Sequence, residues 1–352
     1  MKKYPTYAEN RRVQKLRAHA RYYNLQSILG NNWAIFYIIC GGRKTGKSYS
    51  VADFLVKQKL ELKDQCINYW MRISESSTKA MLTNKCKGLI DPDLQRKYHL
   101  ELTHKDMYVF NHGEDFMTVC PLSQFAKLKG VGFYDKDYTG WYNIVLDEFQ
   151  LEQGEKRTSF DILYNFIGMC ENTVRTTKNK VRVFLLGNTL EEASTILKAF
   201  DFIPEKFGRY KLRHKKRCVI DNLEPTKEYL EDRYGSIADI LGGKSMSNYT
   251  NELIKDTALI SKDRLNRPTA IIKFEKKDTG WFTVWNGNVI KKWTGQSVAE
   301  SGCIYMKPYL SGNFDKERRQ EILDRFDARC FKFASLIDLS WFEDALKKIR
   351  KQ

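Results

Sequence analysis

A glycine-rich turn between a predicted buried strand and a predicted helix constrains this chain more than any other feature. Residues 33–40 form an apolar run of the length and β-branched content typical of a buried parallel strand. The turn follows at once, and residues 48–60 then carry apolar side chains at helical spacing. A second short strand is predicted at residues 66–73. This order of elements is a β-loop-α-β unit, so it predicts an α/β fold with a mainly parallel central sheet.

The turn matches the phosphate-binding pattern G-x-x-x-x-G-K-[ST]. Its residues are Gly41, Gly42, Arg43, Lys44, Thr45, Gly46, Lys47 and Ser48, followed by Tyr49. We expect Gly41 and Gly46 to let backbone N–H groups point inward around the phosphates of ATP, at the positive end of the helix. We predict that Lys47 pairs with the β- and γ-phosphates and that Ser48 ligates Mg²⁺.

Two acidic residues, Asp147 and Glu148, end another predicted buried strand. Open α/β sheets bind ligands at the carboxyl ends of their strands, where these side chains would lie. Asp147 is predicted to hold Mg²⁺ through its water shell, and Glu148 to polarise the attacking water as general base. A small-molecule kinase needs no carboxylate that activates water. The pair therefore favours an ATPase that couples hydrolysis to work.

Two further strand ends carry candidate nucleotide contacts. Asn188 follows the predicted strand 181–187 and is either a sensor of the γ-phosphate or an ordinary turn residue. Arg72 follows residues 66–71 and either stacks on or bonds the nucleotide, or is a surface arginine. Local sequence leaves both pairs of alternatives open.

Length and charge suggest how the chain is organised. Its 352 residues suffice for about two domains, and its formal net charge of +17 favours encounter with a polyanion. Residues 206–217 hold seven Lys and Arg residues and no acid, which suggests a boundary. Beyond it, alternating residues around turns predict antiparallel hairpins between 270 and 293, and a helical tail follows. The predicted parts are a basic arm (1–30), an ATPase domain (31–207), a basic linker (208–240) and a smaller α+β domain (241–352).

Cysteine spacing and hydropathy exclude some classes of protein. The eight cysteines lie far apart with no Cys-x-x-Cys pair, so we expect reduced and mostly buried thiols rather than a zinc site. No apolar run reaches the roughly 18 residues that span a bilayer, and the N-terminus lacks the apolar core of a signal peptide. We expect a protein without a membrane partner, in the cytosol of the cell that makes it.

Six motifs, in their order and spacing, resemble the packaging ATPases of small, protein-primed tailed bacteriophages, which belong to the additional-strand branch of P-loop ATPases. The motifs are the loop 41–49, Arg72 after its strand, PLS-x-[FW] at 121–125, the DEF box at 145–149, VR-x-x-x-L-x-N at 181–188, and FxEK…NG…W at 274–293.

The resemblance implies a homo-oligomeric ring, a pentamer, that hydrolyses ATP to drive double-stranded DNA into a procapsid. Such a motor docks on the portal vertex, through the portal protein or an adaptor, in the host cytoplasm. Arg175 occupies the position of the family's trans-acting arginine finger, with one extra residue before the next strand. Lys129 matches a second basic position of that subunit interface. For both, a surface charge is the alternative.

The resemblance also implies that the C-terminal domain is a degenerate, ribonuclease-H-like nuclease. Glu275 and Asp278 lie near its predicted hairpins, but two acids flanking a turn are ordinary, so a domain that binds DNA or the portal is favoured over a nuclease. Trp281, Trp285 and Trp293 either stack on nucleic acid or pack the core of this sheet. A single-strand helicase and a slow ATP-dependent assembly switch remain the alternative functions.

Overall fold

The computed structural model describes residues 22–124, 138–149, 161–174, 180–188, 195–231, 234, 240, 257–274, 280–298, 302–305 and 316–350. The chain divides into two compact units: the first comprises Met1–Ile196 and Lys206–Glu252, and the second Leu197–Glu205 and Leu253–Gln352. Most of the predicted basic arm, residues 1–21, lies outside the described residues, as do Lys129, Arg175, Glu275 and Asp278.

A nine-stranded sheet forms the centre of the first unit. Its strands are β1 (Phe36–Cys40), β2 (Cys66–Arg72), β3 (Leu102–Lys105), β4 (Tyr108–Asn111), β5 (Glu114–Pro121), β6 (Trp141–Asp147), β7 (Lys180–Gly187), β8 (Gly208–Leu212) and β9 (Cys218–Asn222). They lie in the order β3-β4-β5-β2-β6-β7-β1-β9-β8. Neighbours from β5 to β9 in that order pair in parallel, whereas β3, β4 and β8 add antiparallel strands at the two sides. The predicted α/β architecture with a large parallel sheet is confirmed.

Helices accompany this sheet in the chain because apolar side chains recur at helical spacing. The described helices up to residue 231 are α1 (Gln26–Leu29), α2 (Lys47–Leu62), α3 (Glu75–Cys86), α4 (Pro92–Lys97), α5 (Ile162–Thr173), α6 (Thr195–Ala199) and α7 (Lys227–Glu231), of which α6 belongs from Leu197 onward to the second unit. Helix α2 buries Val51, Ala52, Leu55 and Val56, which share one face. These four side chains belong to the same buried cluster as Tyr37 and Ile39 of β1. The helix that follows the glycine-rich turn is thus held against the sheet at that turn.

Part of the segment predicted as a basic linker, residues 208–240, forms two strands of the sheet instead. Strand β9 pairs in parallel with β1 along its whole length, and β8 pairs with β9 in an antiparallel hairpin. The apolar run Cys218, Val219 and Ile220 is buried, which stabilises this pairing. Arg209, counted in the sequence as part of a basic stretch, is buried in an ion pair with Asp221. Because Arg209 is buried in this ion pair, a segment that appears uniformly basic in the sequence can form a buried strand.

The last residues of the predicted basic arm also belong to the first unit. Tyr23, Leu25 and Ile28 are buried in its core cluster. Their apolar side chains bind the segment from residue 22 onward to the sheet and helices. The boundary predicted at residue 30 therefore falls inside the packed unit.

The described residues of the second unit contain a five-stranded sheet and two long helices. Its elements are β10 (Pro268–Lys273), β11 (Trp281–Trp285), β12 (Val289–Lys292), β13 (Cys303–Tyr305), α8 (Lys316–Asp327), β14 (Lys332–Phe333) and α9 (Leu336–Arg350), with strand order β13-β10-β11-β12-β14. Asn286 and Gly287 join β11 to β12 with φ of 51° and 82°, the left-handed backbone that an Asn-Gly hairpin turn requires.

Aromatic side chains fill the core of the second unit. The ring of Phe342 on α9 lies 5.2 Å from that of Phe282 and 5.4 Å from that of Phe274, both in edge-to-face contact. The half-buried rings of Trp281 and Trp293 meet at 5.6 Å.

Across the part of the chain that the structure describes, no helix combines the length and the apolar character needed to span a bilayer.

Candidate nucleotide-binding site

The glycine-rich loop lies at the carboxyl end of β1, and α2 begins at its Lys47. Gly46 caps the helix with φ of +84°, a left-handed conformation that only glycine adopts without strain. Gly41 is needed for a different reason: a Cβ at this position would lie 2.8 Å from the Leu223 side chain. The Thr45 hydroxyl closes the loop by donating to the Gly42 carbonyl over 2.8 Å.

The buried Lys47 ammonium lies inside this loop. Its Nζ donates to the carbonyl oxygens of Gly41 and Gly42 over 2.6 and 2.8 Å, and to the Thr45 hydroxyl over 3.3 Å. Burial lowers the pKa of Lys47 to about 8, and the negative charge of Asp147 opposes this shift. A desolvated ammonium surrounded by weak acceptors would interact strongly with an anion that enters the loop.

Ser48 and Asp147, predicted as two magnesium ligands, lie next to each other. The Ser48 hydroxyl donates to Asp147 Oδ1 over 3.2 Å across 99 residues of sequence. Ser48 is near the start of α2, whereas Asp147 is the last residue of β6, and β7 lies between β6 and β1 in the sheet. A hydroxyl and a carboxylate are the hard oxygen ligands that Mg²⁺ prefers. The residues present therefore fit a magnesium ion.

Arg72 bonds both acidic residues of the site. Its Nη2 lies 2.9 Å from Asp147 Oδ2, and its Nη1 lies 3.0 Å from Glu148 Oε2. Arg72 ends β2, which pairs with β6 in a register that matches Met71 to Leu146. The adjacent strand ends thus place the guanidinium against the two carboxylates. The sequence predicts a nucleotide contact for Arg72 but not this pairing with two carboxylates, although a basic residue at the end of a strand is a signal for it.

Glu148 has an unusual backbone conformation. Its φ is 55°, in the left-handed region that non-glycine residues seldom adopt. The following Phe149 is buried, and its N–H donates to the Leu186 carbonyl of β7 over 3.3 Å. Burial of Phe149 holds the strained turn in place, and the Glu148 side chain is 40% exposed beside Asp147.

Asn188 lies at the same edge of the sheet. It follows the end of β7, the strand that pairs with β1 on one side and with β6 on the other. The Gly41 N–H donates to the carbonyl of Gly187, immediately before Asn188, over 3.1 Å. The half-buried asparagine thus follows a strand end between the loop and the carboxylates.

Two tyrosines that the sequence did not single out hold the loop from outside. The Tyr23 N–H donates to the Thr45 carbonyl over 2.8 Å, and its hydroxyl donates to Asp221 Oδ2 over 2.9 Å. The Tyr229 hydroxyl donates to the Arg43 carbonyl over 2.6 Å. Local sequence carries no signal for these contacts, because each joins segments that are distant in the chain. Tyr49, predicted as a nucleotide contact, is 41% exposed beside Ser48.

A protein-family model for the podovirus DNA encapsidation protein (Gp16) matches residues 18–291 of this chain. The chain belongs to this family. The match includes the loop, both carboxylates and Asn188, and it confirms the resemblance drawn from the six motifs. No curated protein sequence matches the chain.

Solved structures of packaging motors share the fold of this family member. A chain of the bacteriophage Phi-29 viral genome packaging motor assembly matches with a TM-score of 0.63 and 16% sequence identity, covering 94% of this chain and 100% of that one. A chain of the Phi-28 gp11 DNA packaging motor matches with a TM-score of 0.58 and 14% identity, covering 93% and 98%.

Some predicted residues are not placed beside this site. Lys129 and Arg175 lie outside the described residues, so their predicted roles at a subunit interface remain predictions. Within the described parts of the chain, no group of three or more His, Cys, Asp or Glu side chains is arranged to hold a metal ion.

Proposed function

We propose that this protein is an ATPase subunit of a homo-oligomeric ring that moves double-stranded DNA into a viral procapsid. The observation that carries the proposal is the convergence of Lys47, Ser48, Asp147 and Glu148 at one edge of the parallel sheet. Membership of a DNA encapsidation family supports genome packaging as the work that hydrolysis drives. The strand β7 between β1 and β6 supports the additional-strand branch of P-loop ATPases.

ATP binds with its phosphates in the loop 41–48. The backbone N–H groups at the start of α2 and the Lys47 ammonium supply the positive charge. Phosphate oxygens then replace the carbonyls of Gly41 and Gly42 as acceptors for Lys47. Since phosphate is charged and the carbonyls are not, this exchange strengthens the hydrogen bonds of a buried ammonium.

Ser48 and Asp147 would hold Mg²⁺, which neutralises charge on the β- and γ-phosphates. Glu148 accepts a proton from the attacking water, and Arg72 keeps its carboxylate at this edge of the site. Asn188 contacts the γ-phosphate from the end of β7. Gly42, Arg43, Lys44, Thr45 and Tyr49 complete the nucleotide-binding segment.

In the ring, basic residues of a neighbouring subunit complete each nucleotide site. Arg175 and Lys129 act in trans on the nucleotide of the neighbouring subunit, and the C-terminal domain, a degenerate nuclease, contacts DNA or the portal. The formal net charge of +17 suits sequence-independent grip on a phosphate backbone.

Steady-state ATPase assays with Glu148→Gln and Lys47→Ala test the proposal. We expect Glu148→Gln to bind ATP normally while turnover falls by orders of magnitude, because the general base is gone. Lys47→Ala should lose productive nucleotide binding. Unchanged turnover in Glu148→Gln would remove Glu148 as the base, and normal turnover in Lys47→Ala would remove the P-loop assignment.

The same assay separates the motor from its alternatives. Duplex DNA should stimulate wild-type turnover strongly. Stimulation by single strands alone would indicate a helicase, and near-zero turnover under all conditions would indicate an assembly switch. Lys57→Gln, an exposed lysine on α2 with its partner Glu61 one helical turn away, is a matched control that should behave as wild type.

A further inference from the structure

The turn between β8 and β9 is a concentrated patch of positive charge. Residues 213–217 are all basic and join Leu212 to Cys218, which are paired across the hairpin. Arg213, Lys215 and Arg217 are exposed. Like charges in so short a turn repel one another, and that repulsion is relieved when a polyanion binds.

The backbone of this turn is strained as well as charged. His214 and Arg217 have φ of 62° and 42°, left-handed conformations that glycine or asparagine would adopt at lower cost. Basic side chains occupy these two positions although they do not stabilise the left-handed backbone of the turn. Strained positions of this kind concentrate at sites that bind a ligand.

Strand pairing brings further basic residues to the same edge of the sheet. The Ile35 N–H donates to the Arg217 carbonyl over 2.8 Å, and the Val183 N–H donates to the Ile35 carbonyl over 2.8 Å. The starts of β9, β1 and β7 are therefore neighbours. Lys180 and Arg182, near the start of β7, lie at this amino-terminal edge, opposite to the edge that carries the glycine-rich loop.

Two tryptophan rings lie against these basic side chains. The Arg213 guanidinium lies 5.3 Å from the Trp33 ring centre, and Arg217 Nε donates to the Trp33 carbonyl over 3.0 Å. The Trp141 ring has Arg182 at 3.4 Å and Lys180 at 5.7 Å. Stacking uses the flat face of the exposed Arg213 guanidinium and leaves its in-plane N–H groups available for phosphate. Arg182 is half-buried between the Trp141 and Phe54 rings, so it supports Trp141 rather than contacting a ligand.

The described strand starts that carry these cations hold no acidic residue. None of the residues 33–36, 141–143, 180–183 and 212–218 is Asp or Glu. Arg209 of the same hairpin is buried against Asp221 and takes no part. The outward-facing cations are therefore not neutralised within the strand ends that carry them.

We propose that this basic edge, defined as Lys180, Arg213, Lys215 and Arg217 with Trp33 and Trp141, binds the sugar-phosphate backbone of double-stranded DNA without regard to sequence. The inference rests on the proposed function and names a DNA-contacting surface for it. Phosphate is favoured over a protein partner because three exposed cations lie within the five-residue turn 213–217 and the Arg213 guanidinium presents its N–H groups in a fork.

The position of the basic edge connects it to the nucleotide site. Strands β1 and β9 pair in parallel from this edge to the loop, where the Leu223 N–H donates to the Cys40 carbonyl over 2.8 Å. At about 3.3 Å per residue, the five residues of β1 separate the two sites by about 17 Å. A contact with DNA at one end of these strands can thus act on the loop at the other end.

The test measures binding of a labelled DNA duplex of mixed sequence by fluorescence anisotropy as a function of salt. The double variant Arg213→Gln/Lys215→Gln should weaken binding and reduce the slope of log K against log salt by about 1.8, roughly 0.9 for each lost phosphate contact. The charge-conserving variant Arg213→Lys/Lys215→Arg should retain the slope. Lys85→Gln/Lys87→Gln, which removes two exposed lysines elsewhere in the unit, should also retain it.

Basal ATP turnover without DNA should be the same in all four proteins, which shows that the variants fold. If wild-type protein binds duplex and the Arg213→Gln/Lys215→Gln slope equals the wild-type slope, the basic edge is not a DNA surface while the proposed function stands. If wild-type protein binds no duplex, the proposed function fails and takes this inference with it.

Discussion

At the scale of single residues, Arg72 controls the arrangement of the candidate site. Its guanidinium bonds the carboxylates of Asp147 and Glu148, using a different nitrogen for each. Asp147 is almost fully buried, so its oxygens need the hydrogen bonds of this partner and of the Ser48 hydroxyl. In the proposed nucleotide-bound state, Arg72 and Mg²⁺ would compete for this carboxylate.

Replacing Arg72 with alanine should lower both stability and turnover. Asp147 would lose a charged hydrogen bond, so we expect the free energy of unfolding to fall by about 1–3 kcal/mol. Glu148 would lose the ion pair that holds its carboxylate, so kcat should fall more than ATP affinity. Urea unfolding and steady-state kinetics check this, with Arg72→Lys as the control that restores one bond. An Arg72→Ala protein with wild-type kcat would contradict a positioning role.

Thiol reactivity is a second test at this scale. All eight cysteines lie in the described residues as thiols outside any disulfide, and Cys330 is the exposed one. Burial raises the pKa of Cys40 and of Cys120 to about 12, so their reactive thiolate fraction at pH 8 is about 10⁻⁴. We expect Cys330 to react first with a thiol reagent in native protein, and Cys330→Ser to abolish that fast phase. Equally fast labelling of Cys40 would show that β1 opens readily.

At the scale of elements, a buried ion pair ties three segments of the first unit together. Asp221 of β9 accepts hydrogen bonds from Arg209 of β8 over 2.7 and 2.8 Å and from the Tyr23 hydroxyl over 2.9 Å. Arg209 also donates to the Ser27 hydroxyl over 2.7 Å. The pair thus links the β8–β9 hairpin to the segment that contacts the glycine-rich loop through the backbone of Tyr23.

Breaking this pair should destabilise the first unit. Arg209→Met leaves the Asp221 charge buried and without its ion-pair partner, so we expect a loss of about 3–5 kcal/mol in the free energy of unfolding. Arg213→Met, four residues along the same hairpin and exposed, should change it by less than about 0.5 kcal/mol. Thermal and urea unfolding measure both. Equal losses in the two variants would show that the stability of the hairpin depends on its number of positive charges and not on the buried ion pair.

At the scale of the whole molecule, the proposed function puts the groups for ATP binding and hydrolysis at one sheet edge, and a trans-acting arginine would complete them. Arg175 has this proposed role only if the protein assembles into a ring.

Mixing two inactive variants tests this sharing. Arg175→Ala and Glu148→Gln subunits should each be inactive alone, yet mixed rings contain interfaces that pair an intact Glu148 with an intact Arg175. We expect partial recovery of ATPase activity that depends on the mixing ratio. No recovery at any ratio, under conditions where the subunits co-assemble, would count against a finger acting in trans.

Local features of this protein were predictable from the sequence because they depend on residues close together in the chain. The order strand, glycine-rich turn, helix around Lys47 is local, as is the Asn286–Gly287 hairpin turn. Asp147 and Glu148 could be assigned to a strand end for the same reason. Backbone conformation and side-chain periodicity over a few residues suffice for these predictions.

Only the tertiary structure decided which of these strand ends meet. The pairing of β2 with β6 brings Arg72 to Asp147 across 75 residues, and the Tyr23–Asp221 bond spans 198. Residues 208–240 looked like a linker because the seven Lys and Arg residues of 206–217 hid the burial of one of them, Arg209, against Asp221. Strand order and ion pairing across the fold are set by the packing of the whole sheet, which no short window of sequence contains.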